Sequence, residues 1–157
     1  MTIEFGKLEL DVSELMQLLP HRHPILLIDR LENIVDGKGA VGVKHLSSDD
    51  SVFKGHFPDN PIMPGVLIIE TMAQTAAAYT AYTEGIDLKR ELGLLVSLDK
   101  IRFRRVVTPG KDALRVNIHM IHRRKNAWKF TAIVYIKDEK VADGKFSMVI
   151  TKHSVLC

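Results

Sequence analysis

The sequence predicts an α+β fold: one long buried helix lying against a curved antiparallel sheet of about six strands. Three observations lead there. Residues 65–84, "GVLIIETMAQTAAAYTAYTE", are dominated by the helix formers Met, Leu, Glu, Gln and Ala. Apolar or small residues occupy nearly every side of that helix, so it expects to be surrounded. Further on, Val116, Ile118 and Met120, then Phe130, Ala132, Val134 and Ile136, alternate with mostly polar neighbours. That period of two marks a half-buried antiparallel sheet.

The elements follow in order. Asp11 with Glu14 three residues on has the form of a capping box. Val12, Leu15, Met16, Leu18 and Leu19 then suit a short amphipathic helix, ended by Pro20. "ILLIDRLENIV" (25–35) reads as a strand, and the glycines of "DGKGAVGV" allow a turn into a second. Pro64 and Gly65 open the long helix and Gly85 closes it. Four strand-like runs come after it: "LGLLVSLDKIRF", "ALRVNIHMIHRR", "AWKFTAIVYIKD" and "KVADGKFSMVITK". "TPGKD" (108–112) and "KDEK" (137–140) supply turns between them, and the basic run "HRRKN" (122–126) reads as a hairpin turn.

A chain of 157 residues without repeat, low-complexity tract or linker is expected to form a single domain over 1–157. Its net charge of +3 is too small to imply nucleic acid by itself, though clustered charges would suit an acidic partner. The one cysteine, Cys157, permits no disulfide within the chain, which fits a reducing compartment. The N-terminus lacks the basic-then-apolar order of a secretory signal. Glu70 and Gln74 interrupt the most apolar stretch, well short of the ~20 residues a membrane span needs. The expectation is a soluble cytoplasmic protein with no membrane insertion.

The chemistry gathers around "FKGHFPDNPIMPGVLIIE" (53–70), which puts His56 just before the long helix and Glu70 inside it. A helix start presents free N–H groups and partial positive charge. Gly65 stands there, and without a side chain its amide can be approached closely by a polarised carbonyl. Glu70 lies roughly 7–8 Å further along the axis. A carboxyl in apolar surroundings has a raised pKa and can donate a proton near neutrality. Gln74, four residues on, shares its face and can hold it by a hydrogen bond. Histidine is the commonest general base. Base, acid and carbonyl-polarising amide are the parts needed to remove a proton next to a carbonyl and expel a β-hydroxyl. Each residue alone has an ordinary reading: a solvated loop histidine, an exposed helix glutamate, proline punctuation. Their conjunction brings catalysis level with those ordinary readings.

"GHFPDNPIMPGVLIIETMAQ" (55–74) closely resembles the signature of the β-hydroxyacyl-acyl-carrier-protein dehydratases of the FabZ type. That signature holds His-Phe-Pro, Pro-x-Met-Pro-Gly and a Glu fourteen residues after the His. Upstream "LLPHRHPILLIDR" and downstream "KIRFRRVVTPGKD" resemble two further elements of the family, so the likeness runs over nearly the whole chain. It implies a hot-dog fold, and an obligate homodimer commonly assembled as a trimer of dimers. It also implies paired sites at the dimer interface, with His and Glu supplied by different subunits.

Carried over, the resemblance makes His56 the base that takes the α-proton of a 3-hydroxyacyl thioester. Glu70 of the neighbouring chain protonates the leaving hydroxyl. The Gly65 amide polarises the thioester carbonyl, and the backbone carbonyl of Ile62 orients the histidine ring. No metal or organic cofactor is implied; the substrate arrives on the phosphopantetheine arm of acyl carrier protein. Lys100, Arg102, Arg104 and Arg105 form a basic cluster where that acidic carrier can dock, against the plainer reading of a solvated strand face.

The chain departs from the family pattern in three places. His23 stands where an aromatic is usual, and "SSDDSVFKGHF" replaces Asn-Glu-x-Phe-Phe-x-Gly-His-Phe. Lys111 follows Gly110 where an Asp is usual, with Asp112 one place later. None of these touches His56, Gly65 or Glu70.

Other functions are weighed against this one. A hot-dog acyl-thioesterase shares the fold, but a histidine without a neighbouring nucleophile favours dehydration. Isomerisation in addition to dehydration is associated with Asp at the second catalytic position, so Glu70 favours dehydration alone. A basic nucleic-acid-binding module lacks aromatics among its arginines beyond Phe103. His21, His23, His45 and His56 invite a zinc reading, yet no cysteine or carboxylate stands at a familiar ligand spacing.

Overall fold

The computed structural model describes residues 6–88 and 90–152; Cys157 lies outside them. Seven antiparallel strands form one sheet, in the order β1-β2-β3-β5-β6-β7-β4. The strands are β1 (Glu9–Asp11), β2 (Arg30–Val35), β3 (Gly39–Lys44), β4 (Glu91–Phe103), β5 (Leu114–Arg124), β6 (Ala127–Ile136) and β7 (Glu139–Lys152). Helix α1 spans Val12–Leu18, and the long helix α2 spans Gly65–Glu84.

The predicted capping box forms in full. The Asp11 carboxylate accepts the Glu14 N–H at 3.0 Å, and the Glu14 carboxylate accepts the Asp11 N–H at 3.1 Å. Gly85 closes α2 with φ 65°, the left-handed conformation in which a Cβ would be strained. The alternating core is also as expected. Val116, Ile118, Phe130, Ala132 and Val134 are buried, and Met120 and Ile136 pack against them at the rim.

Two elements differ from expectation. The sheet gains β1, three residues long and too short to show any period, whose Leu10 is fully buried opposite Leu31 of β2. The strand expected over 25–35 begins only at Arg30. The Leu27 N–H and the Ile25 carbonyl are instead taken by the Gln74 side chain, at 2.9 and 2.6 Å. Backbone polar groups satisfied by a side chain are withdrawn from the strand ladder.

The C-terminal half of α2 is enclosed, with every residue from Gln74 to Tyr82 buried. Its first half is open on one side: Val66 is 71% exposed. The helix presses on β3 at Gly42, where a Cβ would lie 2.1 Å from Thr75 Oγ1. That hydroxyl is itself donated to the Thr71 carbonyl at 2.7 Å, so it cannot swing away without losing its acceptor. Gly42→Ala is therefore expected to destabilise the protein by about 1–3 kcal/mol through overpacking. Thermal unfolding checks this, at roughly 2–4 °C per kcal/mol for a chain of this size.

Candidate active site

The loop that carries His56 is tied down from three sides. Asp50 caps a one-turn 3-10 helix, Ser51–Phe53, by accepting the Val52 N–H. The other oxygen of Asp50 takes the ammonium of Lys44, a nearly buried lysine on β3. Removing either partner leaves a charge with poor solvation, so the pair fixes the loop to the sheet. This is how "SSDDSVFKGHF" orders the approach to His56 with Val52 in place of one of the usual aromatics; Phe53 is kept and buried. Beyond the histidine, Phe57 and Asn60 exchange backbone hydrogen bonds at 3.0 and 3.1 Å, and the Met63 N–H donates to the Val107 carbonyl.

The His56 ring is partly buried, and Phe57 stacks on it at 4.2 Å between centroids. Its Nδ1 lies 2.9 Å from the Ile62 carbonyl. A carbonyl can only accept, so Nδ1 carries the proton and Nε2 presents a lone pair. That is the tautomer a general base requires. The Ile62 N–H in turn donates to the His56 carbonyl at 2.8 Å, closing the loop upon itself.

Gly65 is the first residue of α2, and Pro64 before it offers no side-chain cap. The first N–H groups of a helix have no intrahelical acceptor, so the Gly65 amide is available as a donor. The glycine has a second purpose that the sequence did not show. A Cβ at Gly65 would sit 2.9–3.1 Å from the ring of Phe103, so the missing side chain makes room for an aromatic of β4.

Glu70 sits on α2 with its side chain 30% exposed. Gln74 donates to Oε1 at 2.7 Å, as its spacing predicts. His21 Nε2 also lies 3.4 Å from Oε1. Contrary to the rise expected from apolar surroundings, the pKa of Glu70 is lowered. Burial does push it up and is the largest single influence, but the donors His21 and Gln74 together outweigh burial. The carboxyl is held below its ordinary 4.5.

The cavity beside Glu70, about 60 Å³, is walled by His21, Gln74 and Gly93–Leu95 of β4, and His56 is not among its lining residues.

The basic cluster is divided. All four residues are exposed, but Arg104 is paired with Asp143 and Arg105 with Glu139. Lys100 and Arg102 have no such ion pair among the described residues, and they line a groove of about 230 Å³ together with Lys140 and Lys145. Among the described residues, no cluster of His, Cys, Asp or Glu could hold a metal ion, and no helix is long and apolar enough to cross a membrane.

The long helix, the wrapping antiparallel sheet and the loop histidine at the helix start define a hot-dog protein. Solved structures agree on the fold. The dehydratase heterocomplex ApeI:P from Xenorhabdus doucetiae has a TM-score of 0.78 at 17% identity, covering 90% of this chain and 93% of that one. A mutant thioesterase from Pseudomonas aeruginosa has 0.66 at 12%, covering 90% and 94%. Sequence comparison goes further. The model of the FabA-like domain matches residues 19–145. The 3-hydroxyacyl-[acyl-carrier-protein] dehydratase FabZ of Gluconacetobacter diazotrophicus is 45% identical over 90% of this chain and 87% of its own. That of Granulibacter bethesdensis is 40% identical over 95% and 87%. The chain belongs to the FabZ family of dehydratases and is an enzyme of the hydro-lyase class.

Proposed function

We propose that this protein dehydrates (3R)-3-hydroxyacyl thioesters on acyl carrier protein to trans-2-enoyl thioesters, in fatty acid biosynthesis. The observation that carries the reading is the 2.9 Å contact of His56 Nδ1 with the Ile62 carbonyl, which leaves Nε2 as an acceptor beside the helix start. His56 Nε2 takes the α-proton, and the electron pair forms the new double bond as the β-hydroxyl leaves. The Gly65 amide stabilises negative charge on the thioester oxygen. Glu70 of a second copy protonates the hydroxyl, which departs as water. The imidazolium and the carboxylate exchange a proton before the next turnover. Protein groups alone supply the base, the acid and the carbonyl donor.

Two features support a site shared by a homodimer. His56 does not line the cavity beside Glu70, and that cavity is walled by β4, an edge strand of the sheet. A copy laid against β4 buries Glu70 further and moves its pKa upward, toward the protonated form that the reaction uses.

The test is an assay of 3-hydroxyacyl carrier thioester that follows enoyl absorbance beside free thiol. Enoyl product without thiol is expected; thiol without enoyl means hydrolysis and overturns the reading. The same assay reads docking. Because Arg104 and Arg105 have local partners, the carrier is expected to depend most on Lys100 and Arg102. The double reversal Lys100→Glu with Arg102→Glu should raise KM for carrier-linked substrate about tenfold, in a salt-dependent way. It should leave a short soluble thioester unaffected; equal effects on both would remove the patch from docking.

A further inference from the structure

The segment between α1 and β2 is clamped at both ends. Arg22 donates to the carbonyls of Leu19 and Met16, at 2.9 and 3.0 Å, and so fastens the turn to the end of α1. Gln74, only 1% exposed, holds the other end through Ile25 and Leu27. All the hydrogen-bonding capacity of its NH₂ group is used: one N–H goes to the Ile25 carbonyl and one to Glu70 Oε1. Between these anchors His21 is aimed at Glu70. Its Nδ1 is buried with no hydrogen-bond partner among the described residues, and Nε2 is the nitrogen that stands toward the carboxyl.

Both groups converge on the same oxygen, Oε1: Gln74 donates a hydrogen bond to it at 2.7 Å, and His21 Nε2 stands 3.4 Å away, at ion-pair distance. An oxygen that accepts one N–H and faces a second is the poorer place for a proton, so the proton of the acid form resides on Oε2. We propose that His21 is a positioning residue for the dehydration: with Gln74 it holds Oε1 and turns the Oε2–H of Glu70 toward the leaving hydroxyl. The inference rests on the reading of Glu70 as proton donor. Donation to Oε1 also favours the ionised form, consistent with the depressed pKa of Glu70. The rest of the cavity lining is Ala73, Ala77, Gly93, Leu94, Leu95 and Met148. Among the described residues, His21 is the one titratable group besides Glu70 that lines this cavity; in the shared site proposed above, His56 of the other copy is the second to face it.

Three variants test it: His21→Ala, His21→Phe, which keeps the bulk of a ring but no donor, and His21→Gln, whose amide N–H can replace Nε2–H. His21→Ala and His21→Phe should lower kcat about 10- to 100-fold through misplacement of the acid, with KM within about twofold. The limb of the kcat–pH profile that reports Glu70 should move to higher pH, since a donor to the ionised form is gone. His21→Gln should recover most of kcat. His21→Phe reads the contact even where His21→Ala is poorly folded. An unchanged kcat and profile in His21→Phe, with Glu70→Gln inactive, overturns the positioning role. So does a loss that His21→Gln fails to restore and that leaves the pH limb in place, for that is loss of structure only. Retention of full kcat by Glu70→Gln would instead sink the reading of Glu70 as acid, a separately visible result.

Discussion

His56→Ala and Glu70→Gln are each expected to lose at least about 10²–10⁴-fold in kcat, the usual contribution of a positioned acid or base. Mixed and allowed to exchange subunits, the two inactive proteins are expected to regain about a quarter of the wild-type sites. Random exchange makes half of the dimers mixed. In a mixed dimer one site carries both substitutions, and the other receives an intact histidine from one chain and an intact glutamate from its twin. Subunits tagged by mass report the exchange, and enoyl absorbance reports the activity. If each site were built within one chain, neither parent could complement the other. Proven exchange without recovery would therefore exclude the shared arrangement. The expectation has its physical root in the single chain, where Glu70 touches His21 and Gln74 and its cavity is not lined by His56.

Local signals in the sequence foretold most of this architecture. The capping box at Asp11 and Glu14, the long helix from Gly65 to Glu84 and its glycine stop formed as their residue chemistry dictates. The period of two along β5 and β6 located the core because one face of the sheet is packed and the other is not. What stayed hidden depends on contacts between distant segments. No pattern over residues 25–29 reveals that a glutamine some fifty residues later occupies their backbone groups. Nor does "PHRHP" disclose that His21 reaches Glu70; only the pair of prolines and the arginine that stiffen the turn hint at a held side chain. The pKa of Glu70 was misjudged for the same reason. Composition near position 70 is apolar, and the two donors that offset burial come from outside the window, or from a residue whose second hydrogen bond was not visible. Phe103 over Gly65 is a further case: the glycine announced a close approach, but the sequence could not say which side chain approaches.

Placing carboxylates on the free edge of β4 is expected to abolish activity without touching any group of the chemistry. This strand has thirteen residues and pairs on one side only, with β7. Val96 and Leu98 are 54% and 48% exposed there. A long apolar edge invites pairing with another strand, and pairing with its own copy about a two-fold axis satisfies both edges at once. The same strand supplies Gly93, Leu94 and Leu95 to the wall of the Glu70 cavity, so a copy paired at this edge is expected to close the site. In Val96→Glu with Leu98→Glu, an unpaired charge buried at the contact would cost about 3–5 kcal/mol, and symmetry repeats it in the other subunit. Even about 4 kcal/mol weakens association about a thousandfold. Sedimentation should then show monomers at micromolar concentration, and enoyl formation should fall by at least about a hundredfold. Both should recover together as protein concentration rises, because the site and the dimer are one equilibrium. A variant that sediments as a monomer and still turns over at the wild-type rate would mean that the acid and the base meet within a single chain.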